Sequence, residues 1–387
     1  MNNDKTLLMA NGQPAGDDIM NKPVEKFERF QREEKIHDVE FKTEAVSYIK
    51  DVWRRFKRDK VTVVATSVII VLVVMAIIGP MIGKYDYLTQ HEGLKNMPPR
   101  IPVVEKLGIM DGCRVITVQT NNLADYADYT VKELDTFETS SAFGKASMTR
   151  IKVDIYEKND VKDMYFWFGT DNIGRDLWSR LWMGTRVSLL MAFSVVMINL
   201  SIGLVVGSIC GYYGGWIDLI IQRIMDVIWN IPSLPLTILL IMLFGSGITS
   251  LILVFCLTGW MGTANSVRMQ FYRYKNREYV LAARTMGASD IKIMFRHILP
   301  NAIGTIITSC ALAVPNVVFQ EAGLSYLGLG VQAPNPSIGM LLSDGQKVLM
   351  DFPYMIVFPG VVIISLMLAF NLFGNGLRDA FNPNLRQ

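Results

Sequence analysis

Residues 268–300 read RMQFYRYKNREYVLAARTMGASDIKIMFRHILP, a polar and basic run between long apolar stretches. Arg268, Arg273, Lys275, Arg277, Arg284, Lys292 and Arg296 face only Glu278 and Asp290. Lys and Arg close to a membrane span resist translocation, so such a loop stays on the cytoplasmic side. Ala282 and Ala283 are small and let another surface come close to the helix that holds them. Gly287 suits a left-handed helix end, and Ser289 or Asp290 suits the start of a second helix. Ile291, Met294, Phe295 and Ile298 recur at helical spacing and give that second helix an apolar face. The spacing predicts a compact helix–turn–helix, with Pro300 at the entry to the next span.

Working outward, the 387 residues are 51% hydrophobic and 19% charged, with a net charge of +3 and a mean hydropathy of +0.28. The charges are unevenly spread, as in a membrane protein, and too nearly balanced to indicate a nucleic-acid partner. Cys113, Cys210, Cys256 and Cys310 form no CxxC pair and suggest neither a disulfide framework nor a metal site. Apolar runs long enough to cross a core of about 30 Å begin at residue 61. Six spans are expected, at 61–83, 187–210, 222–244, 248–266, 302–320 and 354–373. Basic residues precede the first span, and six crossings return both termini to the cytoplasm, together with the 268–300 loop. Residues 1–60 read as a cytoplasmic tail ending in an amphipathic helix. That helix either lies on the inner leaflet or docks on the rest of the chain.

Residues 84–164 are soluble in character. Strands are expected at 115–118 and 151–155 with a helix over 123–134, a small extracytoplasmic α/β insertion between the first two spans. Asp171 or Asn172 is expected to cap a surface helix containing Leu177, Trp178, Leu181 and Trp182, ahead of the second span. Gly203, Gly207 and Gly211 form a small-residue face for close helix packing. Pro232 and Pro235 interrupt the third span, and Arg223 and Asp226 stand one turn apart there. Asn316, Gln320 and Glu321 make the outer part of the fifth span polar and are candidates for a substrate pathway. Residues 324–351 are expected to dip back against the bundle. Residues 165–387 thus form a core that holds spans two to six and the 268–300 loop.

Two sets of motifs carry a resemblance. The 268–300 loop resembles the "EAA" loop of ABC-importer permeases. It keeps Ala282, Ala283, Gly287, Leu299 and Pro300, with Leu281 where the general motif has Glu and His297 where it usually has Ile. The run GTDNIGRD from Gly169, followed by Ser179-Arg180 and Gly184-Thr185-Arg186, resembles the signature of C-type permeases of oligopeptide and dipeptide ABC importers, the OppC/DppC group. The likeness covers about Gly169 to Pro383 and includes the ending from Asn371 to Asp379, with Asn375 where Asp is usual.

The resemblance implies an all-α polytopic membrane protein with six transmembrane helices, the type I ABC importer permease fold. It implies that Leu281, Ala282, Ala283, Arg284, Met286, Gly287 and Ala288 couple the chain to an ATPase subunit. It further implies a second homologous permease, two ATPase subunits, an extracytoplasmic substrate-binding protein and a peptide substrate. The chain itself needs no cofactor on this reading, since ATP and Mg belong to the ATPase partners. No GxxxxGK[ST] loop, HExxH or GxSxG motif occurs in the sequence, so an enzyme is not expected. A permease for another cargo such as a nickel complex, a secondary transporter, and a receptor with an external sensor are the competing readings. A secondary transporter calls for buried ion sites and usually internal repeats, and no repeat is visible.

Overall fold

The computed structural model of the chain describes residues 48–141 and 144–381. The expected tail, and the start of the amphipathic helix before residue 48, lie outside the described residues. In chain order the helices and strands are α1 (Tyr48–Arg58), α2 (Lys60–Ile82), β1 (Cys113–Gln119), β2 (Thr130–Ser141), β3 (Gly144–Asp154), α3 (Ile155–Lys158), α4 (Leu177–Tyr213), α5 (Gly215–Trp229), α6 (Ser233–Phe244), α7 (Ile248–Tyr274), α8 (Glu278–Thr285), α9 (Asp290–Lys292), α10 (Leu299–Tyr326), α11 (Ile338–Lys347) and α12 (Tyr354–Phe381). Among the described residues, five helical stretches are long and apolar enough to cross a membrane: α2, α4, α7, the run from Asp290 to Tyr326, and α12. The α5–α6 pair is the sixth candidate. It is bent by 82° at residues 230–232, where Pro232 cannot continue the α5 backbone ladder.

Asp59 separates α1 from α2. Its carboxylate accepts from the Val61 and Thr62 amides and so starts a new helix. Phe56 of α1 is buried edge-on against Phe373 of α12, which favours the docked reading of this amphipathic helix. Pro80 in α2 has no N–H, so the Ala76 carbonyl one turn earlier lacks its helical donor. Arg186 of α4 fills that gap. Its Nε donates to Ala76 O at 2.8 Å and an Nη donates to Ile77 O at 2.6 Å.

The insertion differs from expectation in one element. The stretch read as a helix over 123–134 is a 3-10 run, Thr120–Tyr129, followed by β2. The sheet is antiparallel with order β1-β3-β2. Lys132, Glu133 and Leu134 suit a helix locally, but pairing along β3 decides their conformation. Ile151 and Val153 of the central strand are fully buried, as is Tyr156 beyond it, whose hydroxyl donates to Pro98 O at 2.8 Å.

The GTDNIGRD run ties this region to the bundle. Thr170 Oγ1 donates to Leu94 O at 2.6 Å and accepts from Met97 N at 2.9 Å. Asp171 is buried and accepts from the amides of Ile173 and Arg175 and from Arg175 Nε at 2.7 Å, with Arg180 Nε at 3.3 Å. Gly174 has φ +85°, and a Cβ there would strike the His91 carbonyl. Asp171 therefore closes a loop and does not cap a helix. The cap is Asp176, which accepts from Ser179 N at 2.9 Å and whose carboxyl is pushed up to about 6 by burial. The expected surface helix and second span are one continuous helix, α4, of 37 residues.

The glycine face of α4 meets α7 closely. Cβ atoms added at Gly203, Gly207 and Gly211 would collide with Thr263, with Ala264 and Val267, and with Phe271 respectively. Near the end of α12, a Cβ at Gly374 would strike Leu312 and one at Gly376 would strike Thr62. Those contacts hold α12 against α10 and α2.

Candidate functional site

The loop quoted first begins later than expected, because α7 runs on through Arg268 and Arg273 to Tyr274. Asp218 of α5 holds this extension. Arg268 donates to both its oxygens, at 2.6 and 2.7 Å, and Tyr272 Oη donates at 2.8 Å. A bidentate guanidinium–carboxylate pair fixes direction as well as distance. The Arg223–Asp226 pair is exposed and 3.9 Å apart, a weak contact beside it.

Helix α8 then turns sharply into α9. Gly287 has φ +79°. Gly287 N donates to Arg284 O at 3.0 Å and Ala288 N donates to Ala283 O at 3.1 Å, the paired bonds of a Schellman closure. Ser289 stands at the start of α9 but its hydroxyl caps nothing, and Ile293 N donates to its backbone carbonyl instead. The Asp290 carboxylate does not cap either. It accepts from Tyr212 Oη at 2.6 Å, and Arg284 donates to that same oxygen at 3.2 Å. Tyr212 closes α4, so the turn is fastened to the end of the long helix. Nearby, Asn301 Nδ2 donates to Tyr279 Oη at 3.3 Å, and burial raises the Tyr279 phenol above its ordinary value.

The knuckle has two sides. Val280, Ile293, Met294 and Ile298 are buried in one cluster with Val267 and Phe271 of α7, and Ala283 is buried as well. Leu281, Ala282, Arg284, Met286 and Gly287 are exposed, as are Ile291 and Phe295, while Ala288 is half-buried. Met286 is 80% exposed and Ile291 67%. Ala283, expected beside Ala282 on the approach side, instead faces the chain's own core, because it lies on the same helical face as Val280. The outward surface is a ring of apolar tips around a bare backbone turn, flanked by Arg277, Arg284 and Lys292.

At mid-bundle, Asn316 and Gln320 are exposed and line a cleft of about 220 Å³ between α4, α7 and α10. Asn199 of α4 and Thr263 of α7 line it too. Asn199 was missing from the sequence-based candidates. Its signal was a lone amide in the apolar run 187–210, four residues before Gly203.

Glu321, grouped with these in the sequence, is not in the cleft. It is fully buried. Ser325 Oγ and Ser337 Oγ donate to one carboxylate oxygen at 2.6 and 2.7 Å, and Ser188 Oγ donates to the other at 3.4 Å. Ser188 Oγ in turn accepts from Ile338 N at 3.2 Å. Glu321 thus pins the segment before α11 between α4 and α10. That segment dips into the bundle as expected, and Glu321 anchors it there apart from the cleft that Asn316 and Gln320 line.

Comparison with known proteins gives consistent results. Residues 203–387 match the family described as binding-protein-dependent transport system inner membrane component, and residues 47–99 match the N-terminal TM domain of oligopeptide transport permease C. The chain is 35% identical over 343 residues to the oligopeptide transport system permease protein OppC of Bacillus subtilis, covering 89% of this chain and 92% of that one. It is 34% identical over 347 residues to the dipeptide transport system permease protein DppC of the same organism, covering 89% of each. It is 35% identical over 346 residues to the DppC of Lactococcus lactis, covering 88% of this chain and 91% of that one. These alignments are longer than the whole of residues 169–387, so the likeness starts well before the motifs that first revealed it.

Proposed function

The chain belongs to the binding-protein-dependent transport system inner membrane components, in the group of oligopeptide and dipeptide permeases, and on that premise we propose that it forms half of a peptide path powered by separate ATPase subunits. It is a membrane permease of an ABC importer and not the ATPase of that system. A second, homologous permease supplies the other half of the path. An extracytoplasmic binding protein delivers peptide at the end that carries the sheet. Two ATPase subunits sit beneath the opposite end, one of them on the α8–α9 knuckle. Both termini and the knuckle are cytoplasmic, in keeping with the cations flanking it. ATP-driven closure of the ATPases moves the knuckle and rocks the helices between inward- and outward-facing arrangements. ATP and Mg stay with the ATPase subunits.

The observation that carries this reading is the knuckle's two-sidedness. A bare turn closed by Gly287 exposes Leu281, Ala282, Met286 and Ile291 to solvent, while Val280 and Ala283 root it in the core. Exposed apolar tips on a polar end mark a surface that another protein covers.

The test is Ala282→Trp in the assembled complex. We expect the ATPase subunits to stop copurifying and ATP-driven peptide uptake to fall at least tenfold, while the two permeases stay paired. Undiminished uptake with a bulky side chain at residue 282 overturns the docking assignment.

A further inference from the structure

Asn199 is 9% exposed, in the midst of an apolar span, and its Oδ1 has no hydrogen-bond partner among the described residues. A buried amide without a partner is costly in a medium that offers no water, so its acceptor side marks a place that something else fills. The amide is also held in place. Gly259 of α7 leaves room for it, and a Cβ at that position would strike Nδ2.

Among the described residues, none that line the cleft Asn199 borders carries a carboxylate, ammonium or guanidinium group. Its polar lining is the side chains of Asn199, Thr263, Asn316 and Gln320. Asn316 spends one N–H on the Leu312 carbonyl at 3.0 Å, which leaves its second N–H and its amide oxygen to pair elsewhere. Asn316 and Gln320 are exposed within the span, where facing hydrocarbon is unfavourable, so this side of α10 faces a path or a partner.

The spacing fits one class of ligand. Residues four apart on a helix rise about 6 Å, and alternate residues of an extended chain repeat every ~6.6 Å. An amide side chain offers one donor and one acceptor group, as every peptide unit does. We infer that this cleft is a main-chain reading wall: Asn316 and Gln320 pair with alternate peptide units of a substrate in transit, and Asn199 Oδ1 accepts a substrate N–H. Such a wall recognises what all peptides share and ignores side-chain charge, leaving side-chain selection to other components. This rests on the peptide-permease reading above.

The experiment uses the complete complex in proteoliposomes, with its binding protein saturated by peptide. Asn199→Leu, of similar volume, should lower peptide uptake per ATP hydrolysed about tenfold or more, for acidic, basic and neutral peptides alike. Separately, Asn316→Cys is labelled with a small hydrophilic thiol reagent. Peptide should slow labelling severalfold during turnover and not in the absence of ATP. Unchanged uptake by Asn199→Leu, a loss confined to one charge class, or labelling indifferent to peptide each overturns the inference. If Asn199→Leu fails to assemble, the labelling result decides alone. Absence of ATP-driven peptide uptake by the wild-type complex would instead refute the underlying function, which separates the two failures.

Discussion

Replacing Glu321 by Ala should loosen the segment that runs from Leu327 to Ser337 and leave the chemistry of the cleft untouched. The carboxylate receives three serine hydroxyls, two of them at 2.6 and 2.7 Å. Removing it leaves these donors in a site from which water is excluded. Each unsatisfied group costs about 1–3 kcal/mol. With partial re-pairing among the serines, the loss is roughly 3–5 kcal/mol. Glu321→Gln keeps an acceptor for Ser325 and Ser337 and should cost about 1 kcal/mol. Thermal unfolding of the permease pair in nanodiscs measures the difference. We expect the Ala variant to melt about 6–10 °C lower, with early proteolysis between residues 327 and 337, and the Gln variant to stay close to wild type in both stability and uptake. A Gln variant that is fully stable yet transports nothing would mean that the carboxylate contacts substrate, and the anchoring argument would be wrong.

Three further outcomes follow from the same geometry. Burial raises the Asp176 carboxyl to about 6, so the folded state binds its proton more tightly than the unfolded state. The stability this gives is present below the unfolded value of about 3.9 and is lost as pH rises to about 6. Asp176→Asn, an equally good cap, should therefore stabilise at pH 8 by up to about 3 kcal/mol and change little at pH 4, as read from unfolding midpoints at the two pH values. Gly287→Ala meets no steric neighbour but holds φ at +79°, at a cost of about 1 kcal/mol. Amide exchange over residues 278–292 should quicken about fivefold, and less for Gly287→Asn. Ala283→Leu should overpack the core beneath the knuckle and destabilise the chain by about 1–3 kcal/mol, whereas the exposed Ala282 tolerates enlargement without loss of thermal stability.

Much of this architecture was legible because membrane spans and basic loops obey strong rules. The first span, the broken third span and the knuckle with its left-handed glycine all follow from local patterns. What escaped was set by tertiary partners. Arg180 and Arg186 made the second span appear to start at Val187. Asp171, which also pairs with Arg175, lies 3.3 Å from the first, and the Ala76 carbonyl left free by Pro80 engages the second, so neither charge ends the helix. Strand β2 was hidden because its Lys and Glu residues suit a helix until β3 lies beside them. Ala282 and Ala283 are indistinguishable as letters, and only the direction of Val280 tells which of them faces out. Glu321 and Gln320 are neighbours in sequence but point about 100° apart around α10. A hydrophobicity pattern alone could not separate a buried carboxylate with serine donors from an amide in an open cleft.

Helix α4 spans 37 residues without a break, a rod of about 55 Å at 1.5 Å per residue. One tip is clamped beside Thr170 and Asp171, and the other holds Asp290 through Tyr212. A stiff beam of that length acts as a lever, and tilting it by 5° swings its far tip through roughly 5 Å. Events at its two ends are therefore felt through one rigid part, without any relay of small rearrangements between them.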